Sequence, residues 1–182
     1  MTTVADAVRR RQSHSKVTEV APTHEELLPL VEAAASVADH GSLRPWRLIE
    51  LRGDARKRLG QAFAEAGGLS GSDARKAGEK PLRASLLIAV VAVHKPSHKV
   101  PEWEQDAVAS GVAHMLSLLL NEAGWGVFWR TGGFTRASAV HRMHELADNE
   151  ELLGWLYVGG LPGKMKPEKK HKFDASRHLT AL

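Results

Sequence analysis

The chain has 182 residues, 43% of them apolar and 25% charged, and no cysteine. Disulfides, thiolate metal sites, iron–sulfur clusters and a cysteine nucleophile are thereby excluded, and a reducing, cytoplasmic setting is expected. The formal charge of +4 collects in residues 163–182, where six Lys/Arg meet two acids, so the remaining 162 residues are close to neutral. That asymmetry predicts one globular domain over residues 1–162 and a basic C-terminal arm over 163–182.

Taken in chain order, residues 2–12 read as a short helix that delivers Arg9, Arg10 and Arg11 at its end, where the helix dipole favours cations. Thr23-His24-Glu25-Glu26 is a capping box, and Leu27, Leu30, Val31, Ala34 and Ala38 follow at helical spacing. Pro29, inside that pattern, is expected to cost a hydrogen bond or kink the helix. Asp39–Trp46 is a loop, Trp46–Arg52 a strand, and Asp54 the cap of a helix through Ala66. Gly67–Lys80 reads as a mobile surface excursion. Ser85–His94 is a strand covered on both faces, and its apolar run Leu86–Val93 is too short to span a bilayer.

The strongest periodicity lies in Glu102–Ala123, a helix of roughly 33 Å at about 1.5 Å per residue, closed by Gly124. Trp125–Arg130 reads as a strand, Thr131–Phe134 as a glycine-containing loop, Thr135–Ala147 as a helix and Leu152–Val158 as the last strand. Helices and strands interleave, so the class is α+β, a sheet covered by helices.

Familiar catalytic signatures are missing. Ser70 stands in GLSGS, which is not a nucleophile elbow, and there is neither a Walker loop nor G-x-G-x-x-G. His141 and His144 are three apart but lack a carboxylate at zinc-hydrolase spacing, and read as a polar helix face. No metal site is expected, and no side chain stands out as a general acid or base. Redox or other demanding chemistry would then come from an organic cofactor, and Arg9-Arg10-Arg11-Gln12-Ser13 is the best phosphate clamp in the chain. A tripled Arg is also a common solvated helix end.

Read together, RRRQSHSKVTEVAPTHEEL, ASVADHGSLRPWRLIEL, VPEWEQDAVASGVAHMLSLLLNEAGWGVFWRTGGFT and LLGWLYVGGLP resemble the FMN-dependent nitroreductase family in its short, minimal form, over about residues 7–162. The resemblance implies a three-layer α/β/α sandwich with a mainly antiparallel sheet around a long central helix. It implies FMN as cofactor, with Arg11, Gln12 and Ser13 near the phosphate and ribityl chain. His40 would approach the flavin near a subunit interface, and Trp129, Arg130 and Thr131 would line the ring or phosphate side. It further implies NADH or NADPH as hydride donor, a nitroaromatic, quinone or similar small-molecule acceptor, and a homodimer with flavin sites at the interface. Three positions depart from the family pattern: Gln12 for an Arg, Ser36 for an Arg of some relatives, and Arg44 for a Gln before Pro45-Trp46. Two alternatives stand beside this reading: a flavin- or ligand-binding protein of that fold with little turnover, and a basic nucleic-acid-binding protein. The first reading expects no nucleic-acid or membrane partner.

Overall fold

The computed structural model describes residues 3–163 and 173–181. Half of the basic arm, residues 164–172 and 182, therefore lies outside the described residues. The two apolar runs of the first half become antiparallel neighbours: β1 (Trp46–Leu51) pairs with β2 (Leu86–Val93), Trp46 opposite Ala92. β2 also pairs with β4 (Glu150–Gly160), and β4 with β3 (Trp125–Arg130), giving one antiparallel sheet of order β1-β2-β4-β3.

Alternation along these strands produces two cores. One face carries Leu86, Ile88, Val90, Val127, Leu156 and Val158 and packs against α2 (His24–Ala34) and α5 (Glu102–Glu122). The other carries Leu87, Ala89, Val91, Phe128, Trp155 and Tyr157 and is covered by α3 (Asp54–Ala66), α4 (Gly71–Glu79) and α6 (Ser138–Met143). β2 is apolar on both sides because both of its faces are buried. The three-layer α+β architecture is as the sequence implied. No helix among the described residues is long and apolar enough to cross a membrane.

Several local expectations are corrected. α1 is shorter than 2–12, running Val4–Arg10 with Thr3 and Asp6 as a capping box. α2 stops at Ala34, not Ala38, with Pro29 inside it and the hydrogen bond of its missing N–H forgone. Gly53, at φ +48°, precedes α3 where Asp54 was expected to cap it; Asp54 instead opens the helix and pairs with Lys57 at 2.8 Å. Gly67–Lys80 is no mobile excursion: it holds α4 and leads into a 3-10 turn (Lys80–Arg83) with Ala77 and Pro81 buried. The expected helix Thr135–Ala147 is split, since Thr135 Oγ1 donates to Gly132 C=O at 2.8 Å inside a 3-10 turn (Gly133–Arg136) that precedes the shorter α6. His144 is not on a polar face but 5% exposed, bonded to Val140 C=O and Trp155.

Candidate functional site

β3 is the end strand of the sheet, and the residues that follow α1 are tied to it by one backbone bond and to the last residue of β4 by two. His14 N–H donates to Val127 C=O at 2.8 Å and Thr18 N–H to Gly160 C=O at 2.8 Å, while Gly160 N–H donates to Val20 C=O at 2.7 Å. The close approach needs glycine. A Cβ on Gly126 would meet Val17 Cγ1 at 2.8 Å, and one on Gly159 would meet Thr18 C=O at 2.6 Å. Arg11, Gln12 and Ser13 immediately precede His14, which is bonded to β3, the strand that ends in Trp129 and Arg130 and leads into Thr131.

The three arginines are not equivalent. Arg9 pairs with Asp6 at 3.3 Å, and Arg10 forks onto both Glu122 oxygens at 3.0 and 2.8 Å. Arg11, the C-cap of α1, has no acidic partner among the described residues, and neither Gln12 nor Ser13 makes a side-chain hydrogen bond there.

Trp129 and Arg130 point to opposite faces. The Trp129 ring meets the His114 ring of α5 edge-on at 5.0 Å. The Arg130 guanidinium lies over Phe128 at 4.4 Å and Tyr157 at 5.0 Å. Trp129 Nε1 and Arg130 Nε are both buried donors with no acceptor in the protein. The turn that follows is held open by glycine: Gly132 has φ +137°, and nothing stands within 4 Å of a Cβ built there. Gly154 on β4, at φ +134° beside the register shift of Val90/Val91, is the counterpart; a Cβ there would collide with Arg130 C=O and lie 2.8 Å from Trp129 Nε1.

The end of β3 and the turn after it, but not Arg11, Gln12 or Ser13, border a cavity of about 450 Å³, within the range of cofactor clefts. Trp129, Arg130 and Thr131 line it with the turn glycines Gly132 and Gly133. Its aromatic wall is Phe63 stacked on Phe134 at 5.2 Å and set edge-on to Trp155 at 5.3 Å. Lys80 and Arg83 complete it from the turn after α4. Burial pushes the Tyr157 hydroxyl up to about 12 against the pull of Arg130 and Arg83, so it stays protonated at neutral pH. Sequence reasoning missed Phe63, Lys80, Arg83, Phe134, Trp155 and Tyr157; the clue available was the K-P-L-R turn abutting a fully apolar strand.

His40 lies elsewhere in the chain. It is exposed, with Nδ1 2.9 Å from Glu104 in the first turn of α5, and shares a shallow apolar groove with Val37, Trp103 and Gly111. Its loop is tightly wound: Asp39 accepts the N–H groups of Leu43 and Arg44 at 3.2 and 2.7 Å, and Ser42 and Arg44 adopt φ of +51° and +47°. Left-handed backbone at two non-glycine residues is strain of the kind functional loops retain. Ser36 Oγ donates to Ala33 C=O at 2.8 Å.

Residues 8–160 match the sequence model described as the Nitroreductase family. The chain belongs to the nitroreductase family. Among family members it resembles, the Escherichia coli (strain K12) protein named "Putative NAD(P)H nitroreductase YdjA" is 33% identical over 152 residues, 82% of this chain and 83% of that one. A Haemophilus influenzae protein with the same functional name is 28% identical over 177 residues, 94% of this chain and 95% of its own. The nitroreductase fold is also evident in known structures. A nitroreductase-like protein from Bacillus cereus superposes with a TM-score of 0.86 at 22% identity, covering 100% of this chain and 97% of that one. NfnB from sphigopyxis sp. strain HMH, described as FMN- and NADPH-dependent, superposes with a TM-score of 0.75 at 16% identity over 100% and 99% of the chains.

Proposed function

We propose that this nitroreductase-family chain is an FMN-dependent NAD(P)H oxidoreductase passing electrons from NADH or NADPH to a small flat acceptor such as a quinone or nitroaromatic. Bound FMN supplies the two-electron chemistry between reduced nicotinamide and acceptor. The observation that carries this reading is Arg130 Nε, a buried donor with no acceptor in the protein, at the end of the edge strand where it borders the cavity. A buried donor left unpaired costs about 1–3 kcal/mol, and FMN offers the ring carbonyls, ring nitrogens and phosphate oxygens that such donors lack. Arg11 and Ser13, without side-chain partners of their own, suit a phosphate by guanidinium fork and hydroxyl. Gln12 between them adds an amide, and the turn Thr131-Gly132-Gly133 adds backbone N–H groups. Arg130, on the cavity wall, would hold positive charge beside a bound flavin and favour anionic forms of it.

In this reading the protein is a homodimer with flavin sites at the interface, and His40 serves the site of the neighbouring copy. His40 stands beside exposed Trp103 at the start of α5, whereas Trp129 meets the second half of that helix at His114.

The absorbance spectrum of the purified protein, before and after adding FMN, tests the cofactor; steady NAD(P)H oxidation with a naphthoquinone tests the activity. Arg11→Ala should lose most of its flavin, whereas Arg9→Ala, which breaks only an exposed pair with Asp6, should retain it. Protein that takes up no FMN, or equal retention by both variants, overturns the assignment. A second reading, a flavin binder of weak turnover, is favoured by Ser36, whose hydroxyl is spent on Ala33 C=O. A yellow protein that does not oxidise NAD(P)H with any acceptor would select it.

A further inference from the structure

We infer that Gln105 and Lys95 are positioning residues: through the segment that links β2 to α5 they hold His40 in place for the flavin of the neighbouring copy. The inference rests on the flavin reading above and deepens it by naming what fixes that contact.

Gln105 is 1% exposed, on the buried side of α5 with Val108, Ala109 and Val112. Burying an amide is unfavourable unless its polar atoms are bonded. Here the side chain serves backbone alone. Its Oε1 accepts from Lys95 N–H at 2.8 Å, and its Nε2 donates to Lys95 C=O at 2.9 Å and to Val100 C=O at 3.1 Å. One buried amide thus closes residues 95–100, which belong to no helix or strand, into a fixed loop.

That loop grips the one that carries His40. Lys95 Nζ donates to Leu43 C=O at 2.6 Å, and Val93 N–H donates to Pro45 C=O at 2.9 Å. Val100, 4% exposed, faces Gly41, where a Cβ would stand 3.7 Å from its Cγ2. Glu104, the chain neighbour of Gln105, meets His40 Nδ1 at 2.9 Å. All four contacts come from residues 93–105.

The grip matches a strained loop. Ser42 and Arg44 hold left-handed backbone, which persists only where the surroundings over-determine it. Asp39 secures the turn from within, while the four contacts from 93–105 tie it to the body of the protein. Such a backbone suits a loop that must present one side chain at a fixed place, and in the flavin reading that side chain is His40.

The test dilutes flavin-loaded wild type, Lys95→Met, His40→Ala and the double variant, and reads the Kd of FMN from the fluorescence of released flavin. Lys95 is exposed, so Lys95→Met leaves the core intact. Each single variant should raise the Kd by about tenfold. The double variant should bind no more weakly than His40→Ala, because the lysine acts through the histidine. With FMN in excess, the visible absorption band of the bound flavin should move by the same amount in Lys95→Met as in His40→Ala, a signature that lost stability alone does not produce. Gln105→Leu should raise the Kd at least as far; where that variant does not fold, Lys95→Met carries the test. Wild-type affinity or a wild-type band in Lys95→Met overturns the inference, and so does a double variant about a hundredfold weaker than wild type. Dissociation of the Lys95→Met dimer in sedimentation also overturns it, because the loop would then serve subunit contact. Wild type that holds no FMN overturns the flavin reading instead. Hydrogen exchange at the amides of Leu43 and Arg44, expected to quicken in Lys95→Met, then decides whether the lysine holds the loop.

Discussion

His144 and Trp155 illustrate how much one hydrogen bond can fix. Indole N–H can only donate, so the 3.0 Å contact makes His144 Nε2 the acceptor and leaves Nδ1–H to donate to Val140 C=O at 2.8 Å. Both ring positions are committed to the neutral form, and Trp155, a wall of the cavity, is oriented by it. Burial holds the His144 pKa below its ordinary 6.5, with Arg47 and His141 adding to the effect. The unfolded chain therefore binds a proton that the folded one refuses. Stability should fall as pH drops below about 6.5, by up to about 1.4 kcal/mol per pH unit. The carboxylates held low, such as Glu150 by Arg47, lose their contribution only at more acid pH. Urea unfolding between pH 7.5 and 5.5 reads this slope. His144→Phe should flatten it while costing about 1–3 kcal/mol for the stranded indole N–H; a slope that persists in the variant removes His144 as its source. Gly154 is fixed by backbone alone. Gly154→Ala should cost more than about 2 kcal/mol and displace the Arg130–Thr131 turn, so flavin uptake should fall with the melting temperature. A stable, fully yellow variant would refute that coupling. Neither residue was legible in advance: a histidine three from another reads as a helix face, and a glycine in a strand says nothing of the carbonyl lying against it.

Elements were legible in proportion to their own periodicity. The long helix, the doubly buried strand and the capping box of α2 follow from the sequence because spacing and capping chemistry agree there. α4 does not, because GLSGSDARKAGEK carries three glycines and little apolar face; its helix is sustained by docking Ala77 and Gly78 onto α3. Its stability is thus tertiary, which predicts an outsized effect of a single methyl. Gly60→Ala should push α4 off α3 and cost about 1–3 kcal/mol, with hydrogen exchange quickening in α4 before α5. Uniform exchange across both helices would mean that α4 is held by something other than this contact. The sequence likewise pointed to Arg11–Ser13 and Trp129–Thr131 but not to Lys80 and Arg83, because the layer that brings those two cations in was taken for a loop.

At the scale of the molecule, the chain leaves apolar surface that a single copy does not explain. α1 buries no residue, with Val4 79% and Val8 54% exposed, and Trp103 on α5 is 68% exposed. If these surfaces meet a second copy, Val8→Glu with Trp103→Glu should shift sedimentation from dimer to monomer and release flavin. A monomeric wild type would sink the proposal. The strap from His14 to Val20 has a bearing on handling the protein. A sheet border with unsatisfied amide and carbonyl groups is a template for indiscriminate strand addition, and the strap meets the border at β3 where His14 N–H caps Val127 C=O. Proteolysis or trimming that removes the chain up to Val20 would uncover that template, and the shortened protein should polymerise side by side well before it melts.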